Sequence, residues 1–283
     1  MKRQAPIFVT KSSGLQVEFD QGKLRHSLQK SKASASAIEI ILTEIEHLLY
    51  DGISTKEIYK KAFQLLKRKN NDSAARYKLK NALLELGPTG FPFEKYVGEL
   101  FRFKGYEVEV GKKIQGACVQ HEVDVVAEKN GKITLVECKF HSDPNRSSDV
   151  KVPLYIYSRF ADILDGWNKN THENKDFFTG KIYTNTRFTS DAIQYAKCKG
   201  MDLVGWDYPE KGSLKERIDI SGLYPITCLT KLTMDEKQRL LDSDIVLIKS
   251  LCLREDLLRK IGITNDKRIH QILREASEIC NQN

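Results

Sequence analysis

The stretch EVDVVAEKNGKITLVECKF, Glu122–Phe140, constrains this chain more than any other. Apolar residues alternate with polar ones on both sides of Asn130-Gly131, and that dipeptide between alternating segments is the strongest short-range signal for a two-residue β-hairpin. With Asn130 and Gly131 as the turn, Lys129 faces Lys132, Asp124 faces Glu137, and Glu122 faces Lys139. Side chains alternate faces along a strand, so these last four share one face. Opposed β-carbons in such a ladder are about 4.5–5.5 Å apart.

Two carboxylates that close, between strands rich in Val, Ile and Leu, repel each other and are poorly solvated, and both effects raise a carboxyl pKa. A divalent cation reverses the sign of that problem, and paired carboxylates with room for water are a set that Mg²⁺ accepts. Lys139 adds a fixed positive charge where a phosphate or an attacking water would sit. The alternative is a buried ion-pair strip in which Glu122 and Lys139 form a plain cross-strand salt bridge. A D…ExK pattern alone does not separate the two.

Hydrophobic residues make up 40% and charged residues 30% of the 283-residue chain, which predicts a soluble globular protein of two or three domains. The N-terminus lacks the apolar run of a signal peptide and no stretch approaches the length of a membrane span, so no membrane partner and a cytoplasmic location are expected. The cysteines are scattered without a CxxC pair, which argues against zinc and against a disulfide framework. The net charge of +8 is uneven: residues 1–90 carry +7 and the remainder +1. Positive charge concentrated there suits a phosphate-bearing partner, although a solvated Lys-rich helix surface would look the same.

Residues 1–88 read as a short hairpin, Phe8–Thr10 and Leu15–Phe19 around a turn at Ser12–Gly14, followed by four helices. Asp20 and Ser54 or Thr55 are helix N-caps. The motifs V-x-K-x-x-G, F-D-x-x-K-L, D-G-I-S-T-x-E-I and A-R-Y occur here in order. In them the segment resembles an ATP-cone, the regulatory nucleotide-binding domain of ribonucleotide reductases and of their transcriptional repressor. That resemblance implies that the strand around Val9 contacts a base, that Lys11 and Lys23 contact phosphates, and that Thr55 lies near the nucleotide. A hairpin lid, two lysines and a helix N-terminus make a reasonable triphosphate site. Ser12 and Val17 depart from the family, which usually has Arg and an acidic residue there. Without a GxxxxGK[ST] motif, ATP or dATP is expected as an effector and not as a substrate.

Residues 89–210 predict the order α-β-β-β-α-β-α-β around a mixed sheet. Pro92 opens a helix that carries Glu94 near its start. This order, with Asp124 and Glu137-x-Lys139 on the central hairpin, resembles the PD-(D/E)xK nuclease fold. The run Y-T-N-T-R-F-T-S-D-A-I-Q-Y-A-K is similar to the Mrr branch, the restriction-endonuclease-like family. The resemblance implies that Asp124, Glu137 and the Cys138 carbonyl hold Mg²⁺, that Lys139 orients water or stabilises the transition state, and that Glu94 completes the site through water. Glu94 as a mere complement to the helix dipole is the other reading. Gln120 and His121 precede the strand and are placed to touch DNA, or His121 is structural. Tyr155, Tyr157 and Phe160 read as core.

Residues 211–283 predict a helical module opened by a Thr233-x-x-Glu236 capping box. It loosely resembles helix-hairpin-helix units, with plain packing or dimerisation as the alternative. The expectation is thus a PD-(D/E)xK restriction-endonuclease-like α/β core with an N-terminal, mostly helical ATP-cone and a C-terminal helical module. Its function would be Mg²⁺-dependent DNA endonuclease activity under ATP or dATP control, in an arrangement that allows a homo-oligomer. The rivals are a non-catalytic nucleotide-sensing DNA-binding regulator and a structure-selective repair nuclease.

Overall fold

Asn130 and Gly131 both take positive φ, 54° and 73°, which is the left-handed backbone that a two-residue turn of this kind demands. The computed structural model that shows this describes residues 6–11, 14–69, 71–170, 178–252 and 254–280. The chain divides into two units, Met1–Leu79 with Ser277–Gln282, and Lys80–Ala276.

In the first unit, β1 (Phe8–Thr10) and β2 (Gln16–Glu18) form an antiparallel hairpin. The helices α1 (Gln21–Lys30), α2 (Ala35–Glu46), α3 (Thr55–Lys69) and most of α4 (Asn71–Leu84) follow. Val9, Leu28, Ile41, Ile45, Ala62 and Leu66 meet in its core. The Asp20 side chain caps α1 by accepting the Lys23 N–H. Ser54 and Glu57 cap α3 reciprocally: Glu57 N–H donates to Ser54 Oγ, and Ser54 N–H donates to Glu57 Oε2. The turn residues Ser12 and Ser13 lie outside the described residues.

The second unit opens with α5 (Phe91–Phe103), whose Pro92 stands in the first turn, where its missing N–H costs nothing. Three antiparallel strands follow, β3 (Glu107–Gln115), β4 (Gln120–Lys129) and β5 (Lys132–Lys139). After a two-residue β6 (Ser147–Ser148), the long helix α6 (Lys151–Asn170) crosses to β7 (Phe178–Thr184). A short β8 (Arg187–Phe188), α7 (Ser190–Cys198) and β9 (Asp202–Val204) complete the core. The sheet order is β3-β4-β5-β7-β9, antiparallel up to β5 and parallel beyond it.

β5 is therefore central, and Thr134–Cys138 are buried without alternation. Helices cover both faces of the sheet, as for any parallel strand inside a sheet. On one face Leu135 packs with Ile156, Phe160 and Ile163 of α6. On the other, α5 comes close enough that a Cβ on Gly98 would lie 3.1 Å from Val110, and Phe101 meets Tyr183 at 5.7 Å.

α6 touches the β3–β4 connection backbone to backbone. A Cβ on Gly166 would lie 2.7 Å from the Gly116 carbonyl carbon and 2.8 Å from Ala117 N. Replacing Gly by Ala inside a helix gains about 1 kcal/mol of propensity, but overpacking against backbone costs about 1–3 kcal/mol, and backbone cannot rotate away. Gly166→Ala is expected to be net destabilising and to lower the melting temperature by several degrees. A variant that melts with or above the parent would refute this contact.

The tail continues the second unit with α8 (Leu214–Ser221), α9 (Met234–Asp242), α10 (Glu255–Lys260) and most of α11 (Asp266–Cys280). The capping box at Thr233 and Glu236 is present. Tyr96 Oη donates to Leu223 O at 2.6 Å, Thr227 Oγ1 donates to Ala82 O at 2.7 Å, and buried Lys237 pairs with Glu85 at 2.9 Å. Lys95 pairs with Asp244. Among the described residues no helix is long and apolar enough to cross a membrane.

Candidate active site

The β4–β5 ladder runs from Lys129↔Lys132 to Val125↔Val136 in the register counted from the turn. It ends there, one pair short of Asp124 and Glu137. On its other side β4 pairs with β3 along its length, but between Val110↔Val125 and Lys112↔Val123 the pair Gly111–Asp124 is missing. Gly111 takes φ +67°, a conformation open to glycine within a strand. Asp124 thus sits where both ladders are interrupted. Its Oδ2 accepts the Cys138 N–H at 2.7 Å, so the carboxylate replaces a strand partner for β5. The expected Asp124–Glu137 ladder pair is corrected to this side-chain bond, one residue along.

Glu137 is 3% exposed and fully engaged. Its Oε1 accepts Lys139 Nζ at 2.7 Å and its Oε2 accepts Arg159 Nη1 at 2.9 Å. Arg159, from α6, also donates to the Glu122 carbonyl. Lys139 therefore pairs with Glu137 on its own strand. The cross-strand Glu122–Lys139 pair is not formed, because β4 and β5 part before that level and Glu122 pairs in the ladder with Lys113.

Burial, reinforced by Glu137, pushes the Asp124 carboxyl up to about 6. Glu94, near the start of α5, is pushed up to about 7 by burial and then by Asp124, Glu137 and Glu122. Three carboxyl groups from α5, β4 and β5 thus act on one another in a poorly hydrated place. They are offset only in part by Lys139 and Arg159.

Just past Lys139 the chain is fixed by the β7 end. Thr184 Oγ1 donates to Lys139 O at 2.7 Å, and Asn185 brackets His141 through both its N–H and its carbonyl, at 2.9 and 2.8 Å. Gln120 and His121 lie within β4 and do not precede it. His121 is held by Asp162 at 2.7 Å, and that bond is the main reason the Asp162 carboxyl is lowered to about 2. Asp162 also accepts the Cys118 and Val119 N–H groups, so His121 is tied into a turn brace.

In the first unit, β1 is stitched to the entry of α3. Thr10 N–H donates to Ile53 O at 2.9 Å, Thr10 Oγ1 donates to Gly52 O at 3.1 Å, and Thr10 and Ser54 form a parallel bridge. Lys11 is exposed next to this junction, and Thr55 is the first residue of α3. The Lys23 side chain is 84% exposed and 3.5 Å from Asp20. Val9 is 4% exposed and packs in the core. Strand alternation puts Phe8, which is exposed, on the opposite face.

Comparisons with known proteins match these pieces in order. Residues 7–80 match the ATP cone domain, residues 87–156 a restriction endonuclease model, and residues 224–280 the model described as AF1548-like, C-terminal. An uncharacterized protein of Archaeoglobus fulgidus is 34% identical over 184 residues, 65% of this chain and 99% of that protein. The chain belongs to the AF1548-like family. A crystal structure titled as the protein of unknown function AF1548 is 32% identical, with a TM-score of 0.56 over 69% of this chain and all of that one. A repair endonuclease from Pyrococcus abyssi is a more distant likeness, 18% identical over 36% of this chain and 39% of that one, with a TM-score of 0.26.

In this AF1548-like chain Asp124, Glu137, Lys139 and Glu94 lie near one another, and Arg159 joins them. Sequence reasoning missed Arg159, although a cation one residue before Phe160 and three after Ile156 stands at the edge of the apolar stripe and was a usable signal. Tyr155 and Tyr157 are not core: they are 62% and 37% exposed, and only Phe160 is buried.

Proposed function

We propose that this chain is a nuclease that hydrolyses DNA phosphodiester bonds at Asp124, Glu137 and Lys139 with Mg²⁺ as cofactor, and that ATP or dATP bound to the first unit regulates it. The observation that carries the reading is the mutual repulsion of Glu94, Asp124 and Glu137 beside Lys139. Carboxyls such as Glu94 and Asp124, raised by burial and by neighbouring carboxylates, are a common mark of a functional site. The donor chemistry fits a hard divalent cation, since it consists of carboxylate oxygens. Among the described residues no three or more His, Cys, Asp and Glu side chains converge as a complete cage. Asp124 and Glu137 would therefore hold the ion with water filling the rest of its sphere, as Mg²⁺ prefers, and the Cys138 carbonyl is the further donor.

When bound, such an ion supplies a Lewis acid and a water of lowered pKa. Lys139 puts a positive charge where negative charge grows on the phosphate. Glu94, balanced near pH 7, takes the proton released by the attacking water. Arg159 holds the Glu137 carboxylate in place through its bond to Oε2. In the first unit, Lys11, Lys23 and the N-terminus of α3 at Thr55 would receive the phosphates of the nucleotide, with the β1 backbone near Val9 toward the base.

The test is nicking of plasmid by purified protein with Mg²⁺, with and without ATP or dATP. The expected result is cleavage that EDTA stops and that nucleotide changes. No cleavage of unmodified, modified or branched DNA would leave a nucleotide-sensing DNA-binding protein as the better account.

A further inference from the structure

We propose that Tyr155 is a stacking platform for an unpaired base beside the reacting phosphate, so that this site takes single-stranded or locally unpaired DNA. The inference rests on the nuclease reading above and narrows its substrate.

Tyr155 is 62% exposed on α6, while the inner face of the same helix is filled by Ile156, Phe160 and Ile163. Core packing therefore gives no reason for a large ring at this position. The guanidinium of Arg159 lies over the ring, 5.6 Å from its centroid. The same guanidinium donates to Glu137 Oε2 at 2.9 Å. One side chain thus joins the ring to the Glu137 carboxylate, and a cation backs one side of the ring.

Lys151 stands one turn before Tyr155 and is exposed. Lys151, Tyr155 and Arg159 follow each other at i, i+4 spacing along one edge of α6. Positive charge for a nucleic-acid backbone and a π face for a base are the two elements of a single-strand track. In a duplex both faces of each base are covered by stacked neighbours, so a ring can stack only on a base that has left the stack. Tyr157 does not offer the same face: Tyr195 meets it edge-on at 6.4 Å and Lys199 Nζ lies 5.1 Å from its centroid.

The experiment is fluorescence anisotropy in EDTA, where nothing is cut, with a labelled DNA single strand, the matching duplex and the RNA strand of the same sequence. Tyr155→Ala is expected to weaken single-strand DNA binding about five- to hundredfold and to leave duplex binding unchanged. Tyr155→Phe and Tyr155→Trp should bind like the parent, because each keeps a π face. Equal losses on single strand and duplex, no loss on either, or a loss seen only with RNA would overturn the proposal. Plasmid and oligonucleotide cleavage, measured in parallel, separates this from the nuclease reading. Cleavage with normal binding by Tyr155→Ala sinks the platform alone. Tyr155-dependent binding without cleavage by the parent sinks the nuclease alone.

Discussion

Asp124→Asn is expected to cripple metal-dependent cleavage and, in metal-free protein at pH 8, to make the fold more stable. The first effect follows from losing a charged oxygen donor, and a fall of about a hundred- to a thousandfold is expected. The second follows from the Asp124 carboxyl, which is raised from 3.8 to about 6 by burial and by Glu137. A carboxyl whose folded pKa lies above its unfolded value favours the protonated form in the fold. Its penalty is absent below the unfolded pKa, grows between the two values, and is complete above the folded one. At about 1.4 kcal/mol per pKa unit, the penalty at pH 8 is about 2–3 kcal/mol. Asn keeps an oxygen for the Cys138 N–H and carries no charge. Melting curves in EDTA should show the variant above the parent at pH 8, with the gap closing as pH falls to 4. A gap that is absent at pH 8, or that widens in acid, would contradict the repulsion described for this site.

Arg159→Met is expected to cost about 3 kcal/mol of stability. Glu137 is 3% exposed and loses one of its two cationic partners, and breaking a buried pair by removing one member costs about 3–5 kcal/mol. Lys139 remains on the other oxygen, which holds the loss to the low end. The Glu122 carbonyl also loses its donor. Adding Glu137→Gln removes the stranded charge, so the double variant should recover about 1–2 kcal/mol over Arg159→Met. Urea unfolding of the parent, both single variants and the double variant gives the coupling. Strict additivity would mean that Arg159 acts by packing its stem and not by neutralising Glu137.

The hairpin was legible because Asn130-Gly131 selects its own turn, and the turn sets the register. Asp124, Glu137, Lys139 and Glu94 were legible as charged residues in or beside apolar segments, where a charge needs a reason. The side-chain bond from Asp124 to Cys138 was not, because it forms where the β4–β5 ladder stops, and the turn sets the register of a ladder but not its length. Arg159 was missed because its partner stands on another element, 22 positions away. Tyr155 and Tyr157 were misread although the spacing held the answer. Residues two apart on a helix point about 200° apart, so both cannot share the buried stripe of Phe160. Gln120 and His121 were set before β4 because they are polar, yet the outer strand pairing with β3 carries them into the ladder.

The ties from Leu223, Thr227 and Lys237 to Tyr96, Ala82 and Glu85 join the tail to the helix that flanks β3 and β4 and to the residues before it. A chain cut at residue 210 would leave an apolar helix face open to water, and such a face invites aggregation. The tail is thus as much a condition of solubility for the sheet as an appendage to it.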